Sequence, residues 1–228
     1  FKDTILGLAA GVRLTSNDML HKGDWITVKS VDANGIVEDM SLTTVKVRNF
    51  DNTIVTISPA TLVNGSFQNW IGMQKSGGRR AKRIVYFDFR SIRLVDETLK
   101  QTLLAKHFAT EDSFKLKESL QKAIEKDIQE GKDIEDLKNP AALAPTNLQL
   151  YRRFMEKYLR QRPEVNTELT LMVRHMEATQ CGLPIEFYFF IKDKVWVNYE
   201  HILADIMEHA YALANEFGLK IYEQYPEQ

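Results

Sequence analysis

The chain has 228 residues, 44% hydrophobic and 27% charged, with a formal net charge of −1, which is the profile of an ordinary globular protein with one large or two small domains. So even a balance excludes a bulk field that would draw it to nucleic acid or anionic lipid, and the lone Cys181 excludes an internal disulfide and fits a reducing compartment.

No stretch approaches the roughly 18–20 apolar residues of a membrane helix; the longest aromatic-rich apolar run, Phe187 to Ile191, is strand-sized. The opening carries Lys2 and Asp3 and has no signal-peptide pattern. A first residue Phe1 in place of Met is read as the mark of a piece of a longer protein.

Residues 1–23 read as a short helix with a polar exit. Ile5, Leu8 and Val12 fall at helical spacing, and Gly7, Ala9, Ala10 and Gly11 are small residues of the kind that let helices approach closely. Residues 24–75 read as a small β domain. Asp24–Val31 is rich in β-branched and aromatic residues, Gly35 breaks the run, and Val45 and Val47 alternate with Lys46 and Arg48. A tight turn at Asp51-Asn52 precedes Thr53–Ile57, Pro59 ends that strand, and a last strand lies near Phe67–Ile71. Five short strands in so few residues suggest a strongly bent sheet or barrel that gains from neighbours.

Lys75 to Arg80 read as a glycine-marked linker, and residues 76–228 as an α+β domain. The expected order is strand 82–90, helix 93–107, strands 168–176 and 184–192, helix 195–217 and strand 219–223. This β-α-β-β-α-β sequence is the split βαβ, ferredoxin-like pattern. Trp196, Tyr199, Ile206, Ala210, Leu213 and Phe217 form the stripe of the second helix, with Gly218 as its C-cap. A helical insertion at about 108–166 interrupts the unit. Leu116, Leu120, Ile124 and Ile128 mark an exposed helix ending at Gly131; a loop surrounds Asn139-Pro140 to Pro145. Leu148, Tyr151, Met155, Tyr158 and Leu159 mark another helix, closed by Pro163.

Catalytic constellations are not apparent. His201, Asp205 and His209 share a helix at four-residue spacing but lack a His-Glu-x-x-His motif or a cysteine pair, so a solvated face is the plainer reading than a metal site. Cys181 has no adjacent base. Ser76-Gly77-Gly78-Arg79-Arg80 lacks the Gly-Lys-Ser/Thr ending of a phosphate loop, and Glu38 and Asp39, adjacent on a strand, point to opposite faces. The basic cluster Lys75, Arg79, Arg80, Lys82 and Arg83, with Phe67 and Trp70 nearby, leaves a soluble RNA-binding protein with a small β barrel as the alternative function. No metal, cofactor or catalytic residue is expected, and the chain is read as not an enzyme.

Several segments, in order, resemble the small-conductance mechanosensitive channel family. Leu8-Ala9-Ala10-Gly11-Val12 resembles the end of the family's pore helix, and Gly23-Asp24-Trp25-Ile26 the start of its β domain. Gly35-Ile36-Val37-Glu38, Thr43-Thr44, Asp51, Ile57-Ser58-Pro59 and Asn69 follow its signature spacing. Gly77-Gly78-Arg79-Arg80, Thr170–Arg174, Gly182–Glu186, Tyr199–Ile202 and Ala204–Ile206 are similar to the miniconductance (YbdG-type) branch. Ala60 departs from the usual Asn after Pro59, Gly7 stands where Asn is frequent, and Asp3 falls near the family's glycine bend.

The resemblance implies a five-stranded Sm-like β domain after a pore-helix remnant, in the cytoplasmic region of an inner-membrane homoheptamer that releases solutes under hypo-osmotic shock. Its partners would be the other subunits, the lipid bilayer through helices outside this chain, and permeating ions and small solutes, without nucleic acid. Gly7, Leu8, Ala9, Ala10, Gly11 and Val12 would serve helix packing and gating, with a bulky Ala10 replacement altering the tension threshold. Gly23, Asp24, Gly35, Asp51, Pro59 and Asn69 would carry the β-domain motif.

Overall fold

The computed structural model describes residues 1–115, 118–132 and 144–224. The chain divides into two compact units, 1–76 and 77–228.

In the first unit, helix α1 (Lys2–Ser16) precedes strands β1 (Trp25–Val28), β2 (Ala33–Met40), β3 (Val45–Asn49) and β4 (Ile54–Ile57). Helix α2 (Pro59–Asn64), the two-residue strand β5 (Gln68–Asn69) and helix α3 (Ile71–Lys75) complete it. The strands form one antiparallel sheet in the order β4-β3-β2-β1-β5. Period-two alternation puts Ile26, Val28, Ala33, Val37, Val45, Val47 and Ile57 on one face, where they meet Leu14 of α1, Leu20, and Leu62 of α2 in a single core. At the β3–β4 turn the Asp51 carboxylate accepts from the Thr53 backbone N–H (3.0 Å) and hydroxyl (2.6 Å), which holds Asp51 below the usual carboxylate range.

Two expectations are corrected in this unit. Gly35 does not break a strand; it lies within β2, and a Cβ there would overlap the Arg48 carbonyl of β3, so glycine permits the close crossing. The strand near 67–71 shortens to two residues, because Asn69 Oδ1 accepts from the Ile71 N–H (3.0 Å) and starts a helix. The strand does end before Pro59, and a helix not expected there follows: Ser58 Oγ accepts from the Thr61 N–H (3.3 Å) and Pro59 occupies the first turn, nucleating α2.

The second unit holds strand β6 (Arg79–Phe87), helices α4 (Glu97–Ala105), α5 (Glu118–Gln129) and α6 (Asn147–Gln161), strands β7 (Met172–His175) and β8 (Leu183–Ile191), and helix α7 (Trp196–Ala214). The sheet order is β6-β8-β7, antiparallel throughout, with a long β6–β8 ladder from Arg79↔Ile191 to Phe87↔Leu183. The expected strand at 219–223 is reduced to a bridge between Ile221 and Phe87, with Tyr222 N–H donating to the Tyr86 carbonyl (2.8 Å). The expected strand at 82–90 begins earlier, at Arg79, so Arg79 and Arg80 are ladder residues and not linker.

Tyr151 of α6 sits at the centre of the core, edge-on to Phe87 (5.2 Å between centroids) and Phe217 (5.7 Å). Its hydroxyl donates to the Ala210 carbonyl of α7 (2.5 Å), and burial pushes the phenol far above its usual range. Asn147, fully buried at the start of α6, donates to the carbonyls of Ser91 (2.9 Å) and Phe217 (3.0 Å). Its Oδ1 accepts from the N–H groups of Arg93 (3.0 Å) and Leu148 (2.9 Å).

The apolar stripe of α7 differs from its sequence reading. Tyr199, Leu203, Ile206, Met207, Ala210 and Ala214 are buried, whereas Trp196, in the first turn, is 53% exposed. Gly218 takes the left-handed conformation expected of a C-cap (φ 68°). In the insertion, α5 exposes Leu120 and Ile128 and is followed by Gly131 at φ 69°; Leu116 and the loop residues 139–143 lie outside the described residues.

Candidate functional site

Helix α1 has two unlike faces. Ala10, Gly11 and Leu14 are buried, and the Gly11 position is set by contact: a Cβ would overlap the Leu42 carbonyl oxygen and lie 2.8 Å from its carbon, so only glycine lets the helix rest on the β2–β3 turn. On the other face Phe1, Ile5, Leu8 and Val12 form a stripe one to two turns apart, all exposed, with Leu6 beside it. Gly7 and Ala9 are not buried; a Cβ on Gly7 would meet nothing within 4 Å. The small residues thus divide: Ala10 and Gly11 fit the helix to its own unit, and Gly7 and Ala9 leave it bare. Among the described residues no helix is long and apolar enough to cross a membrane.

The α1–β1 connection is tied by three motif residues. Gly23 (φ 92°) donates its N–H to the Val37 carbonyl (2.8 Å), and the buried Asp24 carboxylate accepts from the His21 N–H (3.0 Å) and from Asn69 Nδ2 (3.0 Å). Gly23, Asp24 and Asn69 therefore meet in one knot that fastens the exit of α1 to the far edge of the sheet. Gly35, Asp51 and Pro59 act separately, at a strand crossing, a hairpin turn and a helix start. These groups hold shape, and none of them presents a reactive centre.

Sequence reading missed an aromatic group on the outer sheet face. Trp25 stacks on Trp70 (4.3 Å, 11°), Phe50 meets Trp25 edge-on (5.4 Å), and Trp70 Nε1 donates to Thr27 Oγ1 (3.0 Å). The register continues Trp25 through Ile36 and Arg48 to Ile54 across four strands, an outer-face row half-buried at Trp25 and Arg48, exposed at Ile36 and Ile54, and apolar except for Arg48, which binds Glu38 (2.7 Å). The signal lay in the positions alternating with buried Ile26 and Val37. The ladder shifts register between Val37 and Asp39, so strict alternation stops at Glu38.

Of the basic cluster, Lys75 ends α3 in the first unit, and Arg79, Lys82 and Arg83 are engaged within the second. Arg79 lies over the Tyr199 ring (4.4 Å), Lys82 approaches the buried Glu186 (3.6 Å), and Arg83 approaches Glu200 (4.0 Å). Glu186 also accepts from Arg174 Nε (2.7 Å). His209 donates through Nδ1 to the Asp205 carbonyl (2.7 Å) and stacks on Tyr158. Among the described residues no group of three or more His, Cys, Asp or Glu side chains is placed to hold a metal, and Cys181 is exposed.

Residues 3–72 match the family model described as "Mechanosensitive ion channel, beta-domain". A stretch of 68 residues is 32% identical to the small-conductance mechanosensitive channel MscMJ of Methanocaldococcus jannaschii, covering 30% of this chain and 19% of that protein. The fold resembles the cryo-EM structure of Arabidopsis thaliana MSL1 (TM-score 0.62, 12% identity), over 96% of this chain and 59% of MSL1. It also resembles Helicobacter pylori MscS in its closed state (TM-score 0.57, 13% identity), over 100% of this chain and 65% of that one. The chain thus spans less than two thirds of the length of each. The family match is confined to residues 3–72, while the whole chain shares the mixed helix and antiparallel-sheet fold of those structures.

Proposed function

We infer that this chain is the non-spanning part of a subunit of a small-conductance mechanosensitive channel, in the miniconductance branch, facing the cytoplasm beneath a bacterial inner membrane. The observation that carries the reading is the match over 3–72, which begins in a helix whose outer stripe of Phe1, Ile5, Leu8 and Val12 has no partner in its own unit. A stripe of that size on a short helix suits contact with a neighbouring subunit's helix or with lipid. The role is conduction and release of ions and small solutes, not catalysis.

In this reading the units of 1–76 form the Sm-like ring of a homoheptamer, and the α+β units of 77–228, ferredoxin-like with a reduced last strand, form a cage. Tension favours the open state only through a difference in membrane area between two states, which the α1 helices transmit as they repack. Ala10 and Gly11 hold each helix on its β domain, so the packing that changes is that of Leu8 and Val12. This moves the informative substitution from Ala10, which is buried and would act through the fold, to Leu8.

The full-length protein reconstituted in liposomes shows tension-activated conductance, and Leu8→Asn shifts its threshold while leaving the circular dichroism of the folded chain unchanged. Patches silent up to lytic tension overturn the channel reading. An unchanged threshold in Leu8→Asn overturns the role of the stripe alone.

A further inference from the structure

In the second unit, the segment His107–Ser113 after α4 and the outer face of α6 enclose a hollow of about 370 Å³, within the size range of small-molecule sites. Its floor is apolar: Phe108, Leu150, Phe154 and Tyr158, with Phe108 edge-on to Phe154 (5.3 Å between centroids). Its rim is basic. Arg153 and Lys157 stand one turn apart on α6, both exposed, and no carboxylate lines the hollow.

Neither rim cation has a hydrogen bond, ion pair or ring contact among the described residues, in contrast to their neighbours. Arg152 donates to the Val173 carbonyl, Arg162 pairs with Glu164, and the nearby acids Glu111 and Asp112 are taken by Lys100 and Lys115. Two like charges at i and i+4 on a helix repel, a strain that an anion between them removes. Thr110 and Ser113 also line the hollow, their hydroxyls 3.3 Å apart and Ser113 Oγ accepting from the Thr110 N–H (3.0 Å), which fixes this side of the wall.

We propose that this hollow binds a small organic phosphate, with a flat apolar body against Phe108 and Phe154 and the phosphate between Arg153 and Lys157. A monoester dianion matches the two cations in number, and the aromatic floor demands a body that inorganic phosphate lacks. The site is independent of the channel reading, since it uses only residues of the second unit.

The test is isothermal titration calorimetry of the chain with 1-naphthyl phosphate, 1-naphthol and inorganic phosphate. The expected result is one saturable site for naphthyl phosphate, with naphthol and phosphate each at least about tenfold weaker, as loss of a charge-assisted or an apolar contact implies. The Arg153→Gln/Lys157→Gln double variant, which removes no internal contact, weakens naphthyl phosphate at least about tenfold, whereas Arg160→Gln on the same helix changes it less than about twofold. Absence of saturable naphthyl phosphate binding, or equal binding by the double variant, overturns the site. Phosphate binding as tight as naphthyl phosphate overturns the apolar half of the proposal.

Discussion

Gly7 and Gly11 lie four residues apart on α1, and alanine should act on them with opposite sign. At Gly7 an added Cβ meets nothing within 4 Å, so Gly7→Ala gains the helix-propensity difference, about 1 kcal/mol. At Gly11 the same gain is opposed. The Cβ would lie 2.8 Å and 2.9 Å from the Leu42 carbonyl carbon and Cα, and both sides of that contact are backbone, so no rotamer relieves it. Restoring ordinary contact requires α1 to retreat by roughly 1 Å, and overpacking of this kind costs about 1–3 kcal/mol. The retreat also lifts the fully buried Leu14, one turn further on, out of a burial worth roughly 2 kcal/mol. The contact term wins, and Gly11→Ala should lose about 1–2 kcal/mol net, which separates the two variants by about 2–3 kcal/mol. Urea unfolding followed by tryptophan fluorescence on a Trp196→Phe background reads the first unit, whose Trp25 and Trp70 then provide the only signal. A Gly11→Ala midpoint equal to or above that of Gly7→Ala would refute the claim that the Leu42 contact fixes the helix.

Asn147→Ala should destabilise the second unit by at least about 3 kcal/mol in urea unfolding read by near-ultraviolet circular dichroism, because four hydrogen bonds to buried backbone vanish together; a loss under 1 kcal/mol would show that water replaces them. Tyr151→Phe should cost about 1–2 kcal/mol at neutral pH through the lost bond to Ala210. It should also flatten the alkaline limb of stability. The folded phenol holds its proton above the unfolded value of 10.0, so its contribution is complete below pH 10 and is lost above it at up to about 1.4 kcal/mol per pH unit. Identical wild-type and Tyr151→Phe slopes between pH 10 and 12 would contradict this. Asp24→Ala should cost the first unit about 2 kcal/mol, since the His21 N–H and the Asn69 amide both lose their acceptor, and Asn69→Ala combined with it should add less than its own single effect.

What was legible in the sequence is what is decided locally. The turn at Asp51-Asn52, the alternation through Val45 and Val47, the helix through Tyr151 and Met155 and the Gly218 cap each follow from a few neighbouring residues. The motif spacing gave Gly23, Asp24 and Asn69 as a set, but that they form one hydrogen-bonded knot depends on a 45-residue separation that no periodicity encodes. Gly35 was misread because a glycine in a strand looks the same whether it ends the strand or admits a neighbour, and only the position of the Arg48 carbonyl decides. Charges misled in a similar way. Arg79 to Arg83 resemble a solvated linker in sequence, yet Tyr199, Glu186 and Glu200, more than 100 residues away, turn them into a strand with its charges engaged. The hollow at Arg153 and Lys157 was invisible for the converse reason, since an i, i+4 basic pair is common and gains meaning only when aromatic residues of another segment close the space beneath it.

The first unit bears most directly on assembly. Its core has ten buried apolar residues, while Phe1, Ile5, Leu6, Leu8, Val12, Ile36, Leu42, Phe50 and Ile54 are exposed. A unit of this size buries too small a fraction of its surface to be more than marginally stable, and nearly as many large apolar residues outside as inside is a poor bargain for a monomer. Association of copies through α1 and the Trp25–Ile54 row reverses that balance without any new chemistry. The expected consequence is a native mass of several 26.3 kDa chains, seven if the proposed assembly is right, that falls to a single chain in a Leu8→Gln/Val12→Gln/Ile36→Thr variant with unchanged circular dichroism. If the wild-type chain is monomeric while the variant is as stable, the exposed row is not an interface between these units, and the α1 stripe must answer to lipid instead.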